Sequence, residues 1–123
     1  MEWADELGFS REEAYRIAGP FGGGMFRGDT CGTVAAAMIA IGMKYGGYEP
    51  GDAAGNALMT SKVEEFQKEF VAKNGSLLCR ELVGYDFSKK GEFDTAFGNG
   101  RIFEVCPGFV QSSLEILSRI LAD

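Results

Sequence analysis

Apolar and polar positions along this chain recur mostly at the three-to-four-residue spacing of helices, and no stretch alternates long enough to read as a sheet strand. Ser10-Arg-Glu-Glu13 reads as a capping box, in which the Ser10 hydroxyl accepts a first-turn N–H and Glu13 reaches back. The helix it opens should stop near Gly19-Pro20, because proline restricts the residue before it. Ahead of it, Glu2 to Leu7 predicts a short helix closed by Gly8. Phe21 to Gly28 then reads as a loop, since Gly22, Gly23, Gly24 and Gly28 permit backbone angles that other residues resist.

A third helix is predicted from about Cys31 to Tyr45, capped by Asp29 or Thr30 and ended at Gly46-Gly47. Val34, Met38, Ile41 and Tyr45 form one stripe and Ala35 to Ala37 narrow the opposite side, so this helix is expected to be buried on more than one face. A longer helix should run from about Asp52 to Lys73, with Met59, Val63, Phe66 and Phe70 inward and Asn74-Gly75 as its stop. Ser76 to Val83 predicts a short helix containing Cys79. Gly84 to Gly100 is rich in glycine and mixed charge, and reads as loop with one turn around Glu92 to Phe97. Cys106-Pro107 is expected to open the last helix, with Val110, Leu114, Leu117 and Leu121 inward. Ile102 to Val105 is the sole candidate strand, and it is short. The resulting expectation is all-α: one compact domain over residues 1–123, a bundle of about five to six helices with a glycine-rich loop before the central one.

Composition narrows the function. A chain of 123 residues, 46% of them apolar, is one domain that can bury a core without disulfides. The net charge of −6 argues against nucleic acid, whose phosphates need clustered Lys and Arg. No basic amphipathic stretch suggests a membrane surface, and the longest apolar run, Val34 to Met43, is too short to span a bilayer and is broken by Gly42. The start, Met-Glu-Trp-Ala-Asp, has neither the positive nor the apolar region of a secretory signal, so the cytoplasm is the expected location. Histidine is absent, which removes the commonest general base, the Ser-His-Asp and Cys-His arrangements and every His-containing zinc site.

What remains is three cysteines, Cys31, Cys79 and Cys106, an odd number that does not read as a disulfide framework. Cys31 and Cys106 fall at predicted helix starts, where unpaired N–H groups and the helix dipole stabilise a thiolate. Cys79 adjoins Arg80, a fixed positive charge expected to act in the same direction. The competing reading is that free cysteines are small buried hydrophobes. It is the stronger one for Cys79 and Cys106 taken singly, whereas Cys31, between the glycine loop and Gly32, favours a functional role. The loop at Gly22, Gly23, Gly24, Arg27 and Gly28 has two readings of equal weight: an anion cradle leading into a helix N-terminus, or a tight turn letting two helices approach. No Walker ending or dinucleotide fingerprint is present. Glu64-Glu65 and Glu69 read as a solvated helix face, Lys89-Lys90 as exposed loop charge, and the ten phenylalanines as core first.

The order Phe21-Gly-Gly-Gly-Met25, Arg27-Gly-Asp-Thr-Cys-Gly32, Lys44-Tyr-Gly46, Asn74-Gly-Ser76, Cys79-Arg-Glu-Leu82, Gly84-Tyr-Asp86 and Cys106-Pro107 resembles the C-GCAxxG-C-C family of putative redox-active proteins, from about Leu7 to the end. The resemblance implies a helical protein with thiol redox chemistry, or with a metal or iron–sulfur centre held by Cys31, Cys79 and Cys106. This chain has Thr33 and Ala36 where the family motif has alanine and glycine, which adds bulk near Cys31. Family members also carry a further cysteine on a helix preceding the region that matches Leu7. Without it a four-thiolate site within this one chain is excluded, leaving three thiolates with an open metal position, or two that cycle between dithiol and disulfide. The missing helix is further expected to uncover apolar surface that a homodimer would cover. A non-catalytic module binding a small anion through the glycine loop, Arg27 and Arg80, and a degenerate relative acting in protein interaction, are the alternatives from other classes.

Overall fold

Local caps decide where the helices begin and end. The computed structural model describes residues 4–46 and 49–122, and within them six α-helices follow one another: α1 Arg11–Ala18, α2 Gly32–Tyr45, α3 Ala53–Asn74, α4 Cys79–Val83, α5 Glu92–Gly98 and α6 Arg101–Ile120. The all-α expectation holds. At α1 the predicted capping box forms: Glu13 N–H donates to Ser10 Oγ at 3.1 Å and Ser10 N–H to Glu13 Oε1 at 3.0 Å. At α3 the Asp52 carboxylate accepts the Gly55 N–H at 2.9 Å, and Gly75, at φ +96, ends the helix in the left-handed conformation that a side chain resists.

α2, α3 and α6 pack against one another around Val34, Ile41, Phe66, Phe70, Ile116 and Ile120, all fully buried or nearly so. Phe66 and Phe70, one turn apart on α3, stack with ring centroids 5.8 Å apart. The Tyr45 hydroxyl donates to the Ile120 carbonyl at 2.6 Å, tying the end of α2 to the last turn of α6. A second, smaller cluster of Cys79, Val83 and Ala96 lies between α4, α5 and the start of α6. No helix among the described residues is long and apolar enough to cross a membrane.

Several expectations need correction. Residues 4–8 form turns rather than a helix, with Phe9 N–H donating to the Ala4 carbonyl at 2.8 Å; Glu2, like Gly47 after α2, lies outside the described residues. α4 is shorter than Ser76 to Val83, because Leu78 is extended and its backbone is engaged elsewhere. The predicted turn around Glu92 is a full helix, α5, reached through Gly91 at φ +84. α6 begins at Arg101, more than a turn ahead of Cys106, so Ile102 to Val105 is helical and Pro107 lies inside the helix. The start is set by Gly100, at φ +82, and by Asn99 Oδ1, which accepts the Arg101 N–H at 3.0 Å. Pro107 forfeits the ladder bond to the Phe103 carbonyl, but Phe103 lies on a solvent-exposed face where an unpaired carbonyl costs little.

Candidate functional site

The glycine loop turns the chain so that the segment carrying Cys31 pairs with the segment carrying Cys79. Gly23, Gly24, Met25 and Phe26 all take positive φ, at +61, +62, +61 and +58, making a left-handed turn. Asp29 N–H closes it onto the Gly24 carbonyl at 3.0 Å. Gly24 is required twice over, since a Cβ there would lie 2.5 Å from the Asp29 nitrogen. Met25 and Phe26 hold a conformation that costs non-glycine residues about 1 kcal/mol or more each.

Beyond the turn, Thr30 pairs with Leu78 in an isolated antiparallel bridge. Cys31 N–H donates to the Leu77 carbonyl at 2.7 Å and Cys79 N–H to the Asp29 carbonyl at 2.6 Å. The Ser76 hydroxyl holds the second segment by accepting the Leu78 N–H at 3.0 Å. Cys31 is therefore the N-cap of the 14-residue α2, and Cys79 the first residue of the five-residue α4. By the period of an extended backbone both lie on the same face of the bridge, as diagonal neighbours. Gly32 is packed so closely that a Cβ would lie 2.6 Å from the Phe21 carbonyl oxygen.

Both cysteines are buried, Cys31 at 8% exposure in the main core and Cys79 at 6% in the smaller cluster, where Cys106 packs against it. All three line one cavity of about 470 Å³. α1, the loop glycines Gly22 and Gly23, α2, α4 and α6 supply its walls, and no charged side chain is among them within the described residues. Ile17, Phe93 and Val110 line it while remaining exposed, which places them at its mouth.

The electrostatics differ from the sequence expectation. Burial, reinforced by the Cys31 and then the Cys106 thiolate, pushes the Cys79 thiol up from 9.0 to about 11. Burial also raises Cys106, with the Cys31 thiolate adding and Arg101 opposing. Arg80 does not offset this at Cys79: its guanidinium turns away to the Gly28 carbonyl at 3.3 Å and to the Asp29 carboxylate at 3.4 Å. Cys106 lacks the helix-start position expected for it, since α6 starts earlier. The three thiols thus sense one another inside an apolar space, and Cys31 alone combines the cavity with the N-terminus of a long helix.

Of the other candidates, Gly22 and Gly23 line the cavity. Gly24 and Gly28 serve close packing: a Cβ on Gly28 would meet Arg80 Cβ at 3.2 Å and Asp86 Oδ1 at 3.3 Å. Arg27 is exposed and stands away from the cavity walls. The donor set does not fit a resident metal or cluster, because among the described residues no three Cys, Asp or Glu side chains come together as ligands. Sequence reasoning passed over Ser113, which is 3% exposed and lines the cavity from α6. Its signal was a hydroxyl on an apolar stripe, between Phe109 and Leu117. Thr33 and Ala36, the departures from the family motif, are also wall residues.

The sequence model of the family described as "Putative redox-active protein (C_GCAxxG_C_C)" matches residues 1–120. No curated protein and no solved structure matches the chain.

Proposed function

Because the chain belongs to the C-GCAxxG-C-C family, whose description is redox activity, we propose that Cys31 and Cys79 form a dithiol/disulfide couple that works at the wall of the apolar cavity. The observation that carries this reading is the shared antiparallel bridge, which brings the two backbones together and points both side chains to one face. Diagonal neighbours on one face lie about 7–8 Å apart, at or just beyond the roughly 7 Å Cα separation that a disulfide tolerates. The pairing therefore requires the short α4 to shift by about 1 Å towards Cys31.

The roles differ by environment. Cys31 is the attacking thiol, because it stands at the N-cap of the 14-residue α2, beside the unpaired N–H groups of its first turn. Cys79 is held as a neutral thiol by burial and is the resolving partner, giving up its proton when it attacks Cys31 Sγ. In one cycle the two thiols lose two electrons and two protons to an acceptor and become one disulfide. Mapping of disulfides by mass spectrometry after treatment with diamide, which takes up both electrons and both protons, tests the pairing. A Cys31–Cys79 crosslink supports it, and three unpaired cysteines would refute it.

The homodimer expected from the sequence has one observation in its favour. Phe93, Phe97 and Phe103 form an exposed ladder, with centroids 6.0 and 5.3 Å apart, beside the cavity mouth. Soluble monomers seldom expose such a contiguous apolar patch. Light scattering of the wild type and of Phe103→Glu checks it: a dimer converted to monomer supports the reading, and a monomeric wild type ends it.

A further inference from the structure

The walls of the cavity restrict what can enter. At about 470 Å³ it has the size of a small-molecule site. Among the described residues its lining carries no charge, so a ligand bearing a carboxylate or phosphate would bury that charge without a partner there. A charged peptide disulfide is disfavoured on this ground, and a peroxide is too small to need the space. The polar groups on the walls are few. Ser113 is the most deeply buried of them, at 3% exposure, and its hydroxyl makes no hydrogen bond among the described residues. It is not sealed into the packing, where Glu69 Oε2 is the one buried side-chain oxygen without a partner among the described residues, and it opens to the cavity as a donor. Ser113 shares a face of α6 with Cys106, two turns and about 10 Å along the axis, a distance that a ring compound bridges.

We infer that the cavity takes an uncharged ring acceptor of the quinone class, seated with one carbonyl oxygen on the Ser113 hydroxyl and its ring against the thiols. The inference rests on the dithiol reading and names its substrate class. A quinone fits each constraint at once: an apolar ring for the walls, a carbonyl that accepts from Ser113, no formal charge, and a capacity for two electrons. The Cys31 thiolate adds to a ring carbon, forming a C–S bond and moving an electron pair onto a carbonyl oxygen, which takes a proton. Cys79, as thiolate, then attacks Cys31 Sγ. The S–S bond forms, the C–S bond breaks, its electron pair returns to the ring, and the second oxygen is protonated. One quinone and two thiols give one hydroquinone and one disulfide.

The test uses the reduced protein without oxygen and duroquinone, whose fully substituted ring cannot be kept as a permanent thiol adduct. The expected result is one duroquinol formed per Cys31–Cys79 disulfide, saturating with duroquinone concentration. Ser113→Ala should raise the half-saturating concentration about tenfold, the worth of a single hydrogen bond, while its oxidation by diamide stays unchanged. Calorimetric titration of duroquinone into a Cys31→Ser variant reads binding apart from chemistry and should show the same loss on adding Ser113→Ala. If diamide yields the disulfide but duroquinone neither binds nor oxidises, the substrate class is wrong and the dithiol reading stands. Equal saturation by wild type and Ser113→Ala would overturn the seat on Ser113. If diamide also yields no disulfide, the dithiol reading fails and takes this inference with it.

Discussion

Cys31 and Cys79 are joined through their backbones: Cys31 N–H bonds to the carbonyl of the residue two before Cys79, Leu77, and Cys79 N–H bonds to the carbonyl of the residue two before Cys31, Asp29. This reciprocal pair fixes the relative position of two segments far apart in sequence, and from it α2 and α4 depart. It also explains why the preceding loop is so constrained. The left-handed run from Gly23 to Phe26 is what sets Asp29 to Cys31 antiparallel to Leu77 to Cys79.

The thiols should differ in reactivity. With iodoacetamide at neutral pH, Cys31 is expected to be modified first and Cys79 slowest, because burial holds Cys79 protonated. Raising the pH towards 10 should accelerate Cys79 and Cys106 most. Peptide mass spectrometry over time gives each rate, and a fast Cys79 at neutral pH would contradict the roles assigned to the pair.

The same burial makes stability depend on pH. The Cys79 thiol titrates near 9.0 when unfolded and at about 11 in the native protein, so between those values the unfolded chain binds fewer protons. Stability is then full below pH 9 and falls as the pH rises through 11, by roughly 2–3 kcal/mol. Denaturant unfolding of wild type and Cys79→Ala at pH 8 and pH 10.5 isolates the effect. The variant starts less stable, for loss of packing, and should lose less between the two pH values.

How much of this was legible in the sequence differs between the helices and the site. The Ser10–Glu13 box, the Asn74-Gly75 stop and the inward stripe of Met59, Val63, Phe66 and Phe70 are local signals, and local geometry obeyed them. The start of α6 was misread because proline is favoured at a first helical position, whereas here Asn99 and Gly100 nucleate the helix earlier and Pro107 is tolerated within it. Val110 and Leu114 were expected inward as core, and they are cavity wall instead, since the apolar face of α6 meets a space there rather than another helix. Arg80 shows the limit most plainly. Its neighbour in sequence is Cys79, but its charge goes to Asp29, which only the tertiary fold brings near.

Backbone strain in the loop predicts opposite effects at adjacent positions. Gly24→Ala should destabilise by about 2–4 kcal/mol, because the new Cβ meets backbone and the residue must keep positive φ. Met25→Gly, at an exposed residue with φ +61, should stabilise by up to about 1 kcal/mol. Thermal unfolding of both variants checks the signs. A tolerated Gly24→Ala would mean that the turn is not the element holding the bridge.

The core gives a further check on packing. Phe66→Ala removes a fully buried ring stacked on Phe70, and should cost about 3–5 kcal/mol in chemical denaturation. A loss below about 1 kcal/mol would be inconsistent with a ring at the centre of α2, α3 and α6.

The most direct test of the account is the mapping of disulfides in the diamide-oxidised protein, beside the single variants Cys31→Ser, Cys79→Ser and Cys106→Ser. A Cys31–Cys79 crosslink is expected in the wild type and in Cys106→Ser, and its loss in the other two. A Cys79–Cys106 crosslink, or three free thiols after oxidation, would contradict it.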